Sequence, residues 1–191
     1  MDINLEEKSD IELVRLSILN QDDYVFIINK YENKIERYLK RLGDLRNEDI
    51  EDLLQDIFLK VYKNLNNFNP ELKFSSWIYR IAHNEAINKF KRNRNVNLNF
   101  DDIDYFINKI SDCVDCNKEN ISNNIDNSFL KDKIQTTLSK MNIKYREVLM
   151  LKFIEDKDYN EISDIIKKPI GTVGTLINRA KKQFKELYEY K

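Results

Sequence analysis

Between Tyr159 and Lys182 the chain reads YNEISDIIKKPIGTVGTLINRAKK, and this stretch admits few folds. Ile162, Ile165 and Ile166 fall on one side of a short helix over Tyr159–Ile166. Lys167-Lys168-Pro169 stops that helix, because the residue before a proline is pushed out of the α region and proline cannot continue a helix. A second helix is predicted to start between 170 and 172. Its apolar positions Val173, Leu176, Ile177, Ala180, Phe184 and Leu187 step by three or four, as one helical face requires. The other face carries Thr172, Thr175, Arg179 and Lys182. A row of hydroxyls and cations suits a helix entering a major groove, so the stretch reads as a helix-turn-helix.

The rest of the chain agrees with an all-α fold. Three glycines and two prolines in 191 residues disfavour sandwiches and barrels and favour helices with few tight turns. Net charge is −1, but it is unevenly placed. Residues 44–56 carry six acids and one arginine; residues 73–92 carry five basic side chains and one glutamate. Residues 95–130 carry seven acids and two lysines; residues 171–191 carry five basic side chains and two glutamates. Local fields, rather than net charge, are what a polyanion meets. With no long apolar run and no signal-peptide pattern, the expected location is the cytoplasm, without direct membrane insertion.

Candidate chemistry is sparse. Cys113 and Cys116 have a metal-like spacing, but the one histidine, His83, lies in another segment and a full zinc ligand set is missing. They read as two linker cysteines, reduced in that compartment. Asp102 and Asp104 lack a third ligand. No phosphate-cradling glycine loop or Ser-His-Asp arrangement occurs. The expectation is a binding protein with no catalytic residue, metal or cofactor.

In chain order, Ser9 to Glu12 forms a capping box opening a helix with Leu13, Leu16 and Leu19. Residues 24–42 form an amphipathic helix carrying Phe26, Tyr31, Ile35, Tyr38, Leu39 and Leu42, ended by Gly43-Asp44. Residues 50–65 give the strongest helical pattern, with Ile50, Leu53, Leu54, Ile57, Phe58, Val61, Tyr62 and Leu65 on one face. The other face carries Glu51, Asp52, Gln55, Asp56 and Lys60. It is either a solvated face or a partner surface that is acidic at its N-terminal end. Residues 66–73 hold Pro70 and read as a loop. Residues 75–92 form a helix capped by Ser75 or Ser76. Ile78, Ile81, Ala82, Ala86 and Phe90 face inward, and Trp77, Arg80, His83, Asn84 and Lys91 can face outward. Trp77 is either a core residue or a platform for an unpaired base. Residues 95–130 are rich in Asn and Asp and read as a linker with short helical pieces near 103–110 at most. Two further helices over 131–141 and 144–153 carry Ile134, Leu138, Met141, Val148, Leu149 and Leu151.

Two segments bear a family resemblance. EDLLQDIFLKVYKNLNNFNPELKFSSWIYRIAHNEAINKFKR, residues 51–92, resembles the first conserved domain of extracytoplasmic-function sigma factors of the sigma-70 family. EIS followed by PIGTV and RAKK resembles the promoter −35 reading domain of bacterial sigma factors. The resemblance implies an all-α chain with a region 2 domain at 1–94, a flexible acidic linker at 95–130 and a region 4 domain at 131–191. It implies a subunit that brings core RNA polymerase to promoter DNA and has no enzymatic activity of its own.

Roles follow residue by residue from the resemblance. Glu51, Asp52, Gln55, Asp56 and Leu59 fall on the helix that docks on the β′ clamp helices of polymerase; the C-terminal domain would meet the β flap. Asn67, Asn69 and Lys73 fall on the loop that holds a flipped −10 base, with Trp77, Arg80 and Asn84 beside it. Extruding a base costs a few kcal/mol, so edge contacts and stacking must replace what it loses. Lys89, Lys91 and Arg92 would hold phosphates. Thr172, Thr175, Asn178, Arg179 and Lys182 would meet the −35 element. Gly174 and Leu176 stand where many family members carry basic residues, which removes a phosphate or base contact. The resemblance also implies an anti-sigma factor as a regulatory partner. The competing expectation is a stand-alone dimeric helix-turn-helix regulator on a palindrome, which leaves the acidic face of 50–65 unused.

Overall fold

The computed structural model describes residues 8–43, 45–92 and 127–189. All regular elements among them are helices: α1 Asp10–Leu19, α2 Tyr24–Leu42, α3 Asn47–Asn64, α4 Phe74–Arg92, α5 Asn127–Lys140, α6 Ile143–Phe153, α7 Tyr159–Ile166 and α8 Ile170–Glu189. Short 3-10 turns at Gln21–Asp23 and Leu65–Asn67 precede α2 and follow α3. The chain forms two compact units, the first built mainly from α1–α4 and the second mainly from α5–α8.

In the first unit the capping box opens α1 as expected. Glu12 N–H donates to Ser9 Oγ, and Ser9 N–H donates to Glu12 Oε2 at 2.8 Å. Ser9 Oγ also donates to Glu12 Oε2 at 2.7 Å, and that bond, with the one from Ser9 N–H, holds the Glu12 carboxyl below the ordinary carboxylate range. The buried face of α1 is Leu13, Val14 and Ser17, however, and Leu19 is 84% exposed. Leu19 is the last residue of the helix. Asp10 ties α1 to α2, accepting from Tyr31 Oη at 2.6 Å and pairing with Lys30 Nζ at 2.9 Å.

Helices α2, α3 and α4 bury most of the apolar faces anticipated for them, but Phe26, Tyr62 and Ile81 are only half-buried, and Ile27 is enclosed where Phe26 was expected. Ile35, Tyr38, Leu39, Ile57, Val61, Ile78, Ala82 and Ala86 are fully enclosed. Tyr24 Oη donates to the Phe58 carbonyl at 2.7 Å, clasping α2 to α3. Burial pushes the Tyr24 phenol well above its usual range. Helix α4 starts at Phe74, so Ser75 and Ser76 lie inside its first turn rather than capping it. Trp77 does not face outward. It is 6% exposed and sits against Phe68 and Phe74, with ring centroids 5.4 and 5.5 Å apart. Phe74 in turn meets Tyr31 of α2 edge-on. Aromatic pairs of this kind add stability beyond the area they bury.

In the second unit α8 packs along α6 and α5. Val173, Ile177, Ala180 and Phe184 are buried; Leu176 and Leu187 are only half-buried. Helix α5 begins at Asn127, inside the span expected to be linker, and before the 131 start read from the sequence. The short helical pieces near 103–110, Asp102, Asp104 and both cysteines lie outside the described residues. Among the described residues no helix is long and apolar enough to cross a membrane, and no cluster of three ligating side chains could hold a metal.

Candidate functional site

The helix-turn-helix is built by local rules. Asp158 caps α7 through a second capping box, its carboxylate accepting from Glu161 N–H at 2.8 Å. Lys167 ends the helix in the left-handed region, and its N–H donates to Ser163 O. Ser163 Oγ reaches across the turn to the Lys168 carbonyl at 2.6 Å. Pro169 then starts α8, accepting at its carbonyl from Thr172 and Val173 N–H. Both boundaries agree with the spacing read from the sequence. Thr172, Thr175, Asn178, Arg179 and Lys182 are all exposed on α8. Thr175 Oγ1 already donates to the Gly171 carbonyl at 2.9 Å, so toward a ligand it acts as an acceptor. Ile170, at the tip of α8, is exposed as well.

The first unit offers two surfaces. On one, Tyr24, Ile28, Leu54, Phe58 and Tyr62 line a groove of about 880 Å³ between α2 and α3, with Glu51, Gln55 and Leu59 exposed along it. Leu59 is 51% exposed, an apolar side chain left on an acidic rim. Asp52 and Asp56 are also exposed but turn to the other side of α3, lining a polar hollow with Lys89 and Arg92 of α4. The five residues expected on one docking face therefore flank the α3 ridge.

The second surface is a hollow of about 240 Å³ beside the 3-10 turn, lined by Lys60, Asn64, Asn67, Trp77, Ile81, Asn84 and Glu85. It brings together Asn67, Trp77 and Asn84 of the expected −10 set. Asn69, Lys73 and Arg80 do not line it. Asn69 instead shapes the loop, its Oδ1 accepting from Glu71 N–H at 3.0 Å. Lys91 lies at the end of α4, and Arg92 lines the acidic hollow on α3. Sequence reading missed Glu85 as a lining residue. Nothing in its spacing relates it to Lys60, which contacts it at 2.6 Å from another helix.

Residues 27–96 match the Sigma-70 region 2 family, and residues 131–184 match the Sigma-70 region 4 family. Between them the two matches span well over half of the chain, in the order the sequence suggested. The chain belongs to the sigma-70 family, and its relatives place it in the extracytoplasmic-function group. It is 29% identical to the ECF RNA polymerase sigma factor SigW of Bacillus subtilis, covering 87% of this chain and 89% of that one. It is 28% identical to the ECF RNA polymerase sigma-E factor of Haemophilus influenzae, over 92% and 93% of the two chains. Among solved structures, it shares its fold with CnrH, solved with the cytosolic domain of CnrY. That match has a TM-score of 0.66 at 18% identity, covering 94% of this chain and 97% of that one. RpoE of Bartonella quintana, solved with the anti-sigma factor NepR, matches at a TM-score of 0.61 and 18% identity over 88% and 98%. None of these sigma-factor relatives favours a stand-alone helix-turn-helix regulator.

Proposed function

We propose that this sigma-70 family chain directs promoter-specific initiation by recruiting core RNA polymerase and recognising −10 and −35 elements. The observation that carries the reading is the pairing of two surfaces on two family-matched units. One is the acidic, partly apolar ridge of α3; the other is the exposed polar face of α8. The ridge, Glu51, Asp52, Gln55, Asp56 and Leu59, meets the β′ clamp helices, and the second unit meets the β flap. Thr172, Thr175, Asn178, Arg179 and Lys182 read the −35 element. Asn67, Trp77 and Asn84 hold an extruded −10 base in the small hollow, while Asn69 shapes the loop and Lys73, Arg80, Lys91 and Arg92 serve the strand around it.

The polymerase supplies the chemistry, and the sigma factor has no catalytic residue, metal or cofactor. Tethering two weak DNA readers to one machine raises their effective concentration, so a chain of net charge −1 needs no strong basic field. It works in the cytoplasm, restrained by an anti-sigma factor; the solved complexes of its structural relatives support that partner. Transcription with core polymerase across a fragmented source genome tests the reading. Discrete start sites must appear only when chain and core are both present. The double change Asp52→Lys, Asp56→Lys must abolish co-migration with core while the helical circular dichroism persists. Specific binding of a palindrome by the chain alone, with no effect on core enzyme, would overturn it.

A further inference from the structure

We propose that Glu85, oriented by Lys60, decides which base the small hollow admits. The inference rests on the reading that this hollow receives an extruded base. Lys60 comes from α3 and Glu85 from α4, and their ion pair at 2.6 Å forms one wall. Among the described residues, Glu85 is the only acid on that lining. Its side chain is 15% exposed, whereas that of Lys60 is 50% exposed. The carboxylate is therefore the sunken, positioned member, and the ammonium guards the mouth.

The other lining groups discriminate weakly. Asn67 and Asn84 each present both a donor and an acceptor, so their amides turn to suit any base edge. Asn64 is committed elsewhere, its Nδ2 donating to the Lys60 carbonyl at 2.8 Å. Trp77 offers ring surface, and stacking tolerates every base. Glu85 differs because an ionised carboxylate only accepts. One pairing with Lys60 leaves lone pairs for a second donor. An exocyclic amino group, such as cytosine N4 or adenine N6, supplies that donor. Thymine has no amino group. Its one ring N–H lies between two carbonyl oxygens, and bringing it to Glu85 drives an oxygen against the carboxylate. The wall thus admits amino-bearing bases and rejects thymine.

The test uses holoenzyme reconstituted from full-length chain and core polymerase. It is challenged with a pool of pre-opened duplexes randomised on one strand across the −10 region, and the bound fraction is sequenced. Wild type is expected to deplete thymine about tenfold at one position, the scale of one good base contact. Glu85→Gln, whose amide can also donate, restores thymine there and leaves the other positions alone; Glu85→Ala does the same. Thymine rejection that survives both variants, or a uniform weakening of every sequence, overturns the assignment. A failure of the underlying reading looks different: no base preference at any −10 position in wild type, and no loss of affinity for the pre-opened duplexes in Asn84→Ala.

Discussion

Lys89 Nζ of α4 lies 2.8 Å from Asp49 Oδ1 of α3, and Asp49 Oδ2 takes Arg46 Nε at 3.1 Å. The lysine expected to hold a phosphate is thus engaged in clasping α3 to α4. Lys89 first, then Arg46, holds the Asp49 carboxyl below the ordinary range. The folded form binds that proton less readily than the unfolded chain. The clasp therefore stabilises the fold above the ordinary aspartate pKa, about 3.9, and its contribution is lost as pH falls through the depressed folded-state value. Asp49→Asn should lower the urea midpoint at neutral pH. The wild-type and variant midpoints should converge in acid; a gap that stays constant with pH would show that the charge is not the cause.

How much of this was legible beforehand depends on the range of the interaction. The capping boxes at Ser9 and Asp158, the Pro169 break and the buried stripe of α8 are set by neighbours within a turn or two, so spacing reveals them. Spacing alone leaves Trp77 open between core and surface. Periodicity along α4 cannot know that Phe68, from the preceding loop, folds back over it. The same holds for Lys60 with Glu85 and Asp49 with Lys89, pairs formed across helices by residues whose spacing carries no common signal. The candidate DNA face of α8 was legible because a solvent-facing row is the complement of a buried one. The small hollow beside the 3-10 turn is only partly legible: Asn67, Trp77 and Asn84 are expected there and its charged wall is not.

The second unit turns on a buried arginine. Arg146 Nε donates to the Leu138 carbonyl at 3.0 Å, and Nη2 to those of Ser139 and Met141 at 3.1 and 3.2 Å. These carbonyls lie in the last turn of α5 and just past it; that of Leu138 also accepts from Met141 N–H at 3.1 Å. Burial pushes the Arg146 pKa down to about 10, so it remains a cation at neutral pH. Arg146→Ala should cost about 3 kcal/mol, because it takes a charged donor from several carbonyls at once. Arg146→Lys should recover little, since a point ammonium cannot span a fork of carbonyls. Chemical denaturation of both variants checks this, and a lysine variant near wild-type stability would contradict it.

Lys167 occupies the left-handed region at φ 53° and ψ 50°, where a side chain crowds its own backbone. Glycine is the usual occupant of such a helix end. Lys167→Gly should therefore raise stability by about 1 kcal/mol, the conformational cost the lysine bears there. Lys167→Val should lower it, because β-branching makes that region less accessible still. The two melting temperatures must move in opposite directions about wild type.

Gly174 lies inside α8, five residues past Pro169. A methyl group built there would meet Tyr159 Cε2 at 3.8 Å, an ordinary van der Waals contact. Neither backbone conformation nor internal packing therefore asks for glycine, and its absence of side chain has to be explained by the ligand or not at all. Gly174→Ala should stabilise the helix by about 1 kcal/mol. The contact with Tyr159 directs the new methyl toward α7, so −35 affinity within the holoenzyme should stay within about twofold, far less than a lost base contact. Gly174→Arg should go further, adding a phosphate contact and steepening the salt dependence of −35 binding by about one counterion. Stabilisation by alanine accompanied by a large loss of −35 affinity would mean that the helix backbone itself approaches the groove at this point, and that glycine is kept for the DNA.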